Sequence, residues 1–359
     1  MHKKITLLTA LLVISAMVLA EESKKYDINV DSTQTISIIA SSNRVPADKL
    51  LKGLKLDSGF GSSTLTQAGR TTAQAEKIVR RIKVLQAAEQ SKNWKLILSK
   101  FVWWILALGA ATYLLIKKKT NWKLRLAWMA GAALFFGFLY GSDPNPMGTI
   151  KDAVVLLGRE GVMFPPRLVA MTVFLVMVWI SNKSICGWGC HFGAVQDVLH
   201  NIPTKKFKLP FVLTNTLRLI VFLSIAILAL GWKMDWVGGI DPFKIFNWRT
   251  WDLTAAGLLF VVLILALGFF FYRPWCQMFC PFGMMGWIIE QFSLLRPRIY
   301  REKCRKCMKC VEVCPNMAMD GIYHGKKLRA DCFACGRCIE QCPAKVINWK
   351  SKTSDKETK

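Results

Sequence analysis

Twelve cysteines fall into four motifs with none left over, and this sorting constrains the chain more than any other feature. Cys304, Cys307, Cys310 and Cys314 are spaced C-x2-C-x2-C-x3-C and followed by Pro315; Cys332, Cys335, Cys338 and Cys342 repeat the run, followed by Pro343. A cubane [4Fe–4S] cluster needs four thiolates. Three closely spaced ones wrap one face of it, and the displaced fourth of each run reaches the other cluster. The spacing therefore assigns Cys304, Cys307, Cys310 and Cys342 to a cluster I, and Cys332, Cys335, Cys338 and Cys314 to a cluster II. Pro315 and Pro343 turn the chain away just after the crossing ligands. Zinc also takes thiolates at C-x2-C spacing, but as two pairs rather than a triplet with a displaced fourth. Disulfides do not suit the inner compartment argued below. These residues resemble the bacterial two-cluster ferredoxin domain over about 301–349.

The rest of the chain is written for a membrane. Hydrophobic residues make up 53% of it, and several runs approach the ~20 residues that cross a bilayer. Residues 1–20 read as a signal peptide: His2, Lys3 and Lys4 are a basic start, the stretch to Ala20 is apolar, and Val18-Leu19-Ala20 is an acceptable cleavage site. Left uncut, the same stretch would serve as an anchor. Five further spans are expected at about 96–116, 126–141, 164–181, 211–231 and 253–272.

Lys117, Lys118, Lys119, Lys123 and Arg125 lie between the first two spans. Lys183, Lys205, Lys206 and Lys208 lie between the third and fourth, and Arg273, Arg296, Arg298 and Arg301 follow the fifth. The remaining loops carry Asp143, Asp152, Glu160, Asp235, Asp241 and Asp252 with few bases. The positive-inside rule then puts the basic loops and the C-terminus in the cytoplasm of a bacterial cell. An exported N-terminus followed by five spans gives the same orientation. The expected fold is mainly α: a polytopic helical membrane protein of about five spans after a signal peptide, with a C-terminal α+β two-cluster ferredoxin domain. Its parts are 1–20, an exported helical region 21–95, a membrane domain 96–300, the ferredoxin domain 301–349 and a disordered tail 350–359. Much of the formal net charge of +26 flanks the membrane and favours anionic lipid headgroups. Bases spread over both sides of a bilayer form no groove for nucleic acid.

The exported segment carries a weak repeat: Thr35-Ile36 through Leu50-Leu51-x-x-Leu54 resembles Thr64-Leu65 through Ile78-Val79-x-x-Ile82. Each copy reads as a short helix, a break and an amphipathic helix. The pair would dock a partner or serve as a plain spacer.

Cys186 and Cys190 follow the third span, and Cys276 and Cys280 follow the fifth, both spaced C-x3-C and both continuing as x-Phe-Gly. Each motif is preceded by a base, Lys183 or Arg273, and Asp143-Pro144 echoes Asp241-Pro242 on the outer side. The membrane part thus looks duplicated, and duplicated halves commonly face each other across a pseudo-two-fold axis. If both pairs are helical, i,i+4 spacing puts each on one face, and four thiols converge near the cytoplasmic surface. Such a set suits an additional redox metal site, a disulfide-forming thiol pair or a structural role. Covalent haem needs C-x2-C-H rather than Cys186-x3-Cys190-His191. None of His2, His191, His200 and His324 lies within an expected span, so paired axial histidines are lacking and no haem is expected. His191 and His200 read as surface or packing residues.

The spans, the paired C-x3-C motifs and the C-terminal cysteine octet together resemble the membrane-bound polyferredoxins of the NapH and NosR type, with CcoG as a relative, over about 96–349. Cys276-x3-Cys280-Pro281 matches the family motif fully, whereas Cys186-x3-Cys190 has His191 where proline is expected. The resemblance implies electron transfer between a cytoplasmic donor or the quinone pool and a periplasmic or membrane redox system, and redox partner proteins on either side of the membrane. The exported part lacks a covalent-flavin threonine motif, so the flavin-free, NapH-like form is expected. Lys303, Arg305, Lys306, Lys309, Lys326, Lys327 and Arg329 would give the ferredoxin domain a positive face that steers an acidic partner or sits over anionic lipid. Arg218, Asn215 and Glu290 are candidates for a quinone site. A metal reductase or metalloenzyme assembly factor, and a redox sensor, are the other function classes the same motifs would serve.

Overall fold

Asn93, Asn121 and Asn145 open three successive helices. The side-chain oxygen of each accepts from the backbone N–H three residues on, at Leu96, Leu124 and Gly148 (3.2, 2.7 and 2.7 Å), which satisfies a donor that the first helical turn leaves orphaned. The computed structural model describes residues 26–247 and 253–351. Three of its helices are long and apolar enough to cross a membrane. They are Trp94–Ile116, Trp122–Leu139 and Phe211–Trp232; the second passes from α-helix (Trp122–Ala132) into a π-helical stretch (Ala133–Leu139). The first span is about 34 Å long at 1.5 Å per residue.

The other two expected spans form shorter apolar helices, Pro165–Ser181 (17 residues) and Ala255–Gly268 (14 residues). The first ends at Asn182, which takes a positive φ of 57°. Beyond the second, Phe271 pairs with Phe207 in a parallel bridge and Arg273 turns left-handed (φ 49°), so the apolar helix is not continued and a separate short helix starts at Pro274. The expected signal peptide, 1–20, and all but the start of the expected tail, 350–359, lie outside the described residues.

Before the membrane helices come α1 (Ile36–Ser42), α2 (Ala47–Leu54) and α3 (Thr72–Gln90). They close over a core of their own, with Ile36, Ile39, Leu50, Leu65, Ala75 and Val79 fully buried. The two repeat copies meet in an antiparallel bridge between Thr35 and Thr64. The copies differ in one respect from the sequence expectation: the second replaces its short helix with turns, and only its long helix forms, opened by a reciprocal cap between Thr71 and Gln74.

At the C-terminal end, β1 (Arg296–Ile299) pairs antiparallel with β2 (Ile347–Lys350), with Pro297 opposite Trp349. Short helices Lys309–Glu312, Ala318–Tyr323 and Arg337–Glu340 lie between them. This module shares one continuous core with the membrane helices, running from Trp104 and Phe174 through Cys186 and Cys276 to Phe333 and Trp349. Two of the basic loops gather against it: Lys118 Nζ donates to the Lys345 carbonyl (2.7 Å) and Lys208 Nζ to that of Glu312 (2.5 Å). The acidic loops gather at the opposite end, where Glu160 pairs with Arg80 (2.7 Å) and Asp143 with Lys92 (2.5 Å). The sorting of loop charge in the sequence thus corresponds to two ends of one helical body.

Candidate metal centres

The two membrane cysteine motifs have the same backbone at their second cysteine. Cys190 (φ −73°, ψ 112°) caps the helix His191–His200, and Cys280 (φ −71°, ψ 116°) caps the helix Pro281–Glu290. Backbone N–H groups of the first turn, Gly193 in one motif and Gly283 in the other, point at these two thiols. A helix N-terminus favours a thiolate there. The first cysteines sit differently, Cys186 in a π-helical turn (Ile185–Gly189) and Cys276 in the short helix Pro274–Met278. The expectation of both pairs on single helix faces therefore gives way to a first cysteine before the break and a second at the cap. All four are buried and line one small cavity, together with Pro146, Met147, Phe243, Trp275, Phe282 and Phe333.

Each half reaches across to hold the other. Lys183, beside the first motif, donates to the Gly283 carbonyl of the second (2.8 Å). Arg273, beside the second, donates to the carbonyls of Cys186 and Gly187 in the first. Both cations are fully buried, and each has a buried acid: Arg273 pairs with Asp197 (2.7 Å), which Arg125 also binds (2.5 Å), and Lys183 pairs with Asp331. Buried charges of this kind are tolerable only when paired and hydrogen-bonded.

The ferredoxin-like region supplies two further cavities. Cys304, Cys307, Cys310 and Cys342 line one, and Cys314, Cys332, Cys335 and Cys338 line the other, the same partition that the crossing rule gives from the sequence. Burial pushes the Cys314 thiol up to about 11, and drives Cys332 and Cys338 well above the ordinary thiol range, with neighbouring cysteines adding to the rise. Thiolates in such places require a cationic group to stabilise them. Among the described residues no three His, Cys, Asp or Glu side chains close tightly enough to hold a single metal ion. Each cavity gathers four thiols, the number that a 4Fe–4S group takes, one at each iron.

Both kinds of motif match models described as "4Fe-4S binding domain". One matches twice in the membrane part, over 163–210 and 253–300, so each copy contains one C-x3-C pair; another matches 297–320. Over these stretches the chain resembles 4Fe–4S ferredoxin-type proteins. It is similar to an uncharacterized protein of Methanocaldococcus jannaschii (27% identity over 41% of this chain and 57% of that one). It also resembles the putative electron transport protein YccM of Escherichia coli (23%; 42% and 46%) and the ferredoxin-type protein NapH of Haemophilus influenzae (28%; 50% and 60%). The matched stretch thus spans about half the length of these relatives. No solved structure matches.

The loop around Cys332 and Cys335, which lines the second of these cavities, is locked into the membrane part. Asp331 accepts from Arg218 (3.0 and 3.2 Å) and from Lys183. Although burial favours its neutral form, these two cations hold its carboxyl below the usual range. Glu290 accepts from the Cys332 N–H (2.7 Å), and Trp188 donates to the Ala334 carbonyl (2.8 Å). Of the residues considered for a quinone, Arg218 and Glu290 are therefore clamps on this loop, and Asn215 accepts from Arg218 (2.8 Å). His191 is a packing residue, fully buried edge-on to Phe243 and Phe246; His200 is buried beside Tyr272. Phe333, Asp331 and Asp197 were not legible as site residues. The one available signal was Asp331 standing directly before Cys332.

Proposed function

We propose that the protein is an iron–sulfur electron-transfer protein of a bacterial inner membrane, linking a cytoplasmic donor or the quinone pool to a redox system in the membrane or periplasm. In this reading the chain crosses the bilayer about five times, with 21–95 outside and the ferredoxin region inside. Cys304, Cys307, Cys310 and Cys342 hold cluster I, Cys332, Cys335, Cys338 and Cys314 hold cluster II, and Cys186, Cys190, Cys276 and Cys280 hold a third 4Fe–4S group. Bound in these cages, the clusters supply reversible one-electron chemistry.

The observation that carries the reading is Phe333. Phe333 lines both the cavity assigned to cluster II and the membrane cavity, so the two cages share a wall residue. The residues around it do positional work: Lys183, Arg218, Trp188 and Glu290 fix the loop, and the aromatic walls exclude water.

A quinone partner is supported by an apolar groove of about 530 Å³ between the helices Trp94–Ile116 and Pro165–Ser181. Phe101, Ile105, Val169 and Val173 form its walls, and Lys92, Asp143 and Asn145 lie at its polar end, the mixture that suits a lipid-soluble ring with oxygen substituents. The groove takes Asn145, Gly148 and Thr149 from the start of the helix Pro146–Glu160, while Pro146 and Met147 of the same turn line the thiol cavity. Phe101 also contacts Phe174 (5.2 Å), which contacts Phe282 of the thiol cavity (6.1 Å).

Anaerobic purification with iron and sulfide analysis and EPR tests the proposal. Three cubanes give about twelve iron atoms per chain, and Cys280→Ser removes about four of them. Colourless, iron-free protein would end the proposal, and about eight atoms unaffected by Cys280→Ser would remove the third centre.

A further inference from the structure

Of the twelve cysteines, Cys307 alone is exposed; the membrane four and two of the cluster II set are buried. The cavity it lines therefore meets solvent on a surface that the chain itself defines. Arg301, Lys303, Arg305, Lys306 and Lys309 are all exposed around it, with Met308 36% exposed beside Cys307. Lys306 and Met308 both take left-handed backbone (φ 55° and 58°), which bends the loop sharply on either side of Cys307. Glu302, the one acid within Arg301–Lys309, is engaged by the Tyr300 hydroxyl (2.8 Å). Among the described residues, Lys303, Arg305, Lys306 and Lys309 have no carboxylate partner.

We propose that this basic collar around Cys307, with Met308 at its centre, docks an acidic one-electron carrier protein. The inference rests on cluster I occupying the cavity behind it. An apolar centre inside a charged rim is the anatomy of a transient interface, and a single-sign rim steers an oppositely charged partner. A lipid surface is the other anionic candidate. The membrane-facing contacts of this module, however, are made elsewhere: by Asp331, Ala334, Lys345 and Glu312. Among the described residues, Arg301–Lys309 makes no hydrogen bond or ion pair to a membrane helix. The transfer itself is simple: the carrier loses one electron, the cluster held by Cys304, Cys307, Cys310 and Cys342 gains it, and no proton or bond is exchanged.

The test uses the full chain in detergent, anaerobically, with two reductants followed by stopped-flow bleaching: a reduced acidic [2Fe–2S] ferredoxin and photoreduced deazaflavin, a small probe that needs no docking face. Wild type is compared with Lys306→Glu/Lys309→Glu and, as a second pair, Lys303→Glu/Arg305→Glu, each matched for iron content. With the ferredoxin, the rate is expected to fall at least about tenfold between low and high salt, and about tenfold in either charge-reversed pair; the deazaflavin rate stays constant. A ferredoxin rate indifferent to salt and to both pairs overturns the docking proposal. So does loss of binding to anionic phospholipid vesicles in the charge-reversed pairs with the ferredoxin rate unchanged. A chain that deazaflavin cannot bleach overturns the underlying cluster reading instead, which separates the two failures.

Discussion

The backbone carbonyl of Phe333 occupies the space that a side chain on Gly187 would need; a Cβ placed there runs into its oxygen. Gly187 lies inside the first membrane cysteine motif and Phe333 directly follows Cys332. The two polypeptide segments that hold thiols for different cavities are thus in backbone contact, and the contact is permitted by a missing methyl group.

Gly187→Ala is accordingly expected to push the Asp331–Gly336 loop off the membrane part. Forcing an atom into a packed interior costs about 1–3 kcal/mol, read as a lower thermal midpoint together with loss of iron and a changed EPR spectrum. Gly131, with open space around its Cα, serves as the control, and Gly131→Ala should leave iron content unchanged. Equal behaviour of the two variants would show that the close approach is unimportant.

Asp331→Asn keeps the shape of the side chain and removes its charge, leaving Lys183 and Arg218 buried beside a neutral amide. Removing one partner from a buried ion pair costs about 3–5 kcal/mol. The expected result is a large drop in stability by chemical denaturation, whereas Glu302→Gln at the surface stays within about 0.5 kcal/mol. A loss under about 1 kcal/mol for Asp331→Asn would mean the clamp is not as drawn.

Leu50→Ala tests whether the outer helices are a separate unit. Leu50 is fully buried in the α1–α3 core, which shares no buried residue with the core around the cysteines. The cavity should cost about 2–5 kcal/mol, seen as earlier proteolysis within 26–90 while iron content is retained. Concurrent loss of iron would make the two cores interdependent.

Filling the apolar groove should separate quinone chemistry from cluster assembly. Val173→Trp occupies space lined by Phe101, Ile105 and Val169. Bleaching driven by a short-chain quinol is expected to slow more than about tenfold, because a filled pocket no longer accepts the ring, while deazaflavin bleaching and iron content hold. An unchanged quinol rate would move the quinone site elsewhere.

The grouping of the cysteines was legible because cysteine spacing is local. The octet partition follows from spacing alone, and the three cavities gather the cysteines in the same groups. The charge sorting of the loops was legible for a similar reason: which loops share an end of the helix bundle follows from counting crossings. Helix lengths were less so. Hydropathy extends through Phe269–Tyr272, but backbone pairing of Phe207 with Phe271 and the left-handed turn at Arg273 stop the helix earlier. Hydrophobicity reports where a residue is content to lie and not whether its backbone continues in a helix.

What the sequence determined by itself is the class of the protein: thiol cages in a duplicated apolar frame, with a C-terminal module of ferredoxin type. The tertiary structure decided how the cages relate. Lys183 and Arg273 each reach across to the opposite half, Asp331 ties the module to the membrane part, and Phe333 lines the cavities of two thiol sets, more than 40 residues from the nearest membrane cysteine in the chain. No local pattern encodes these contacts, because they join segments that folding alone brings together, and a lone Phe or Gly carries no mark of its neighbour until the chain has closed.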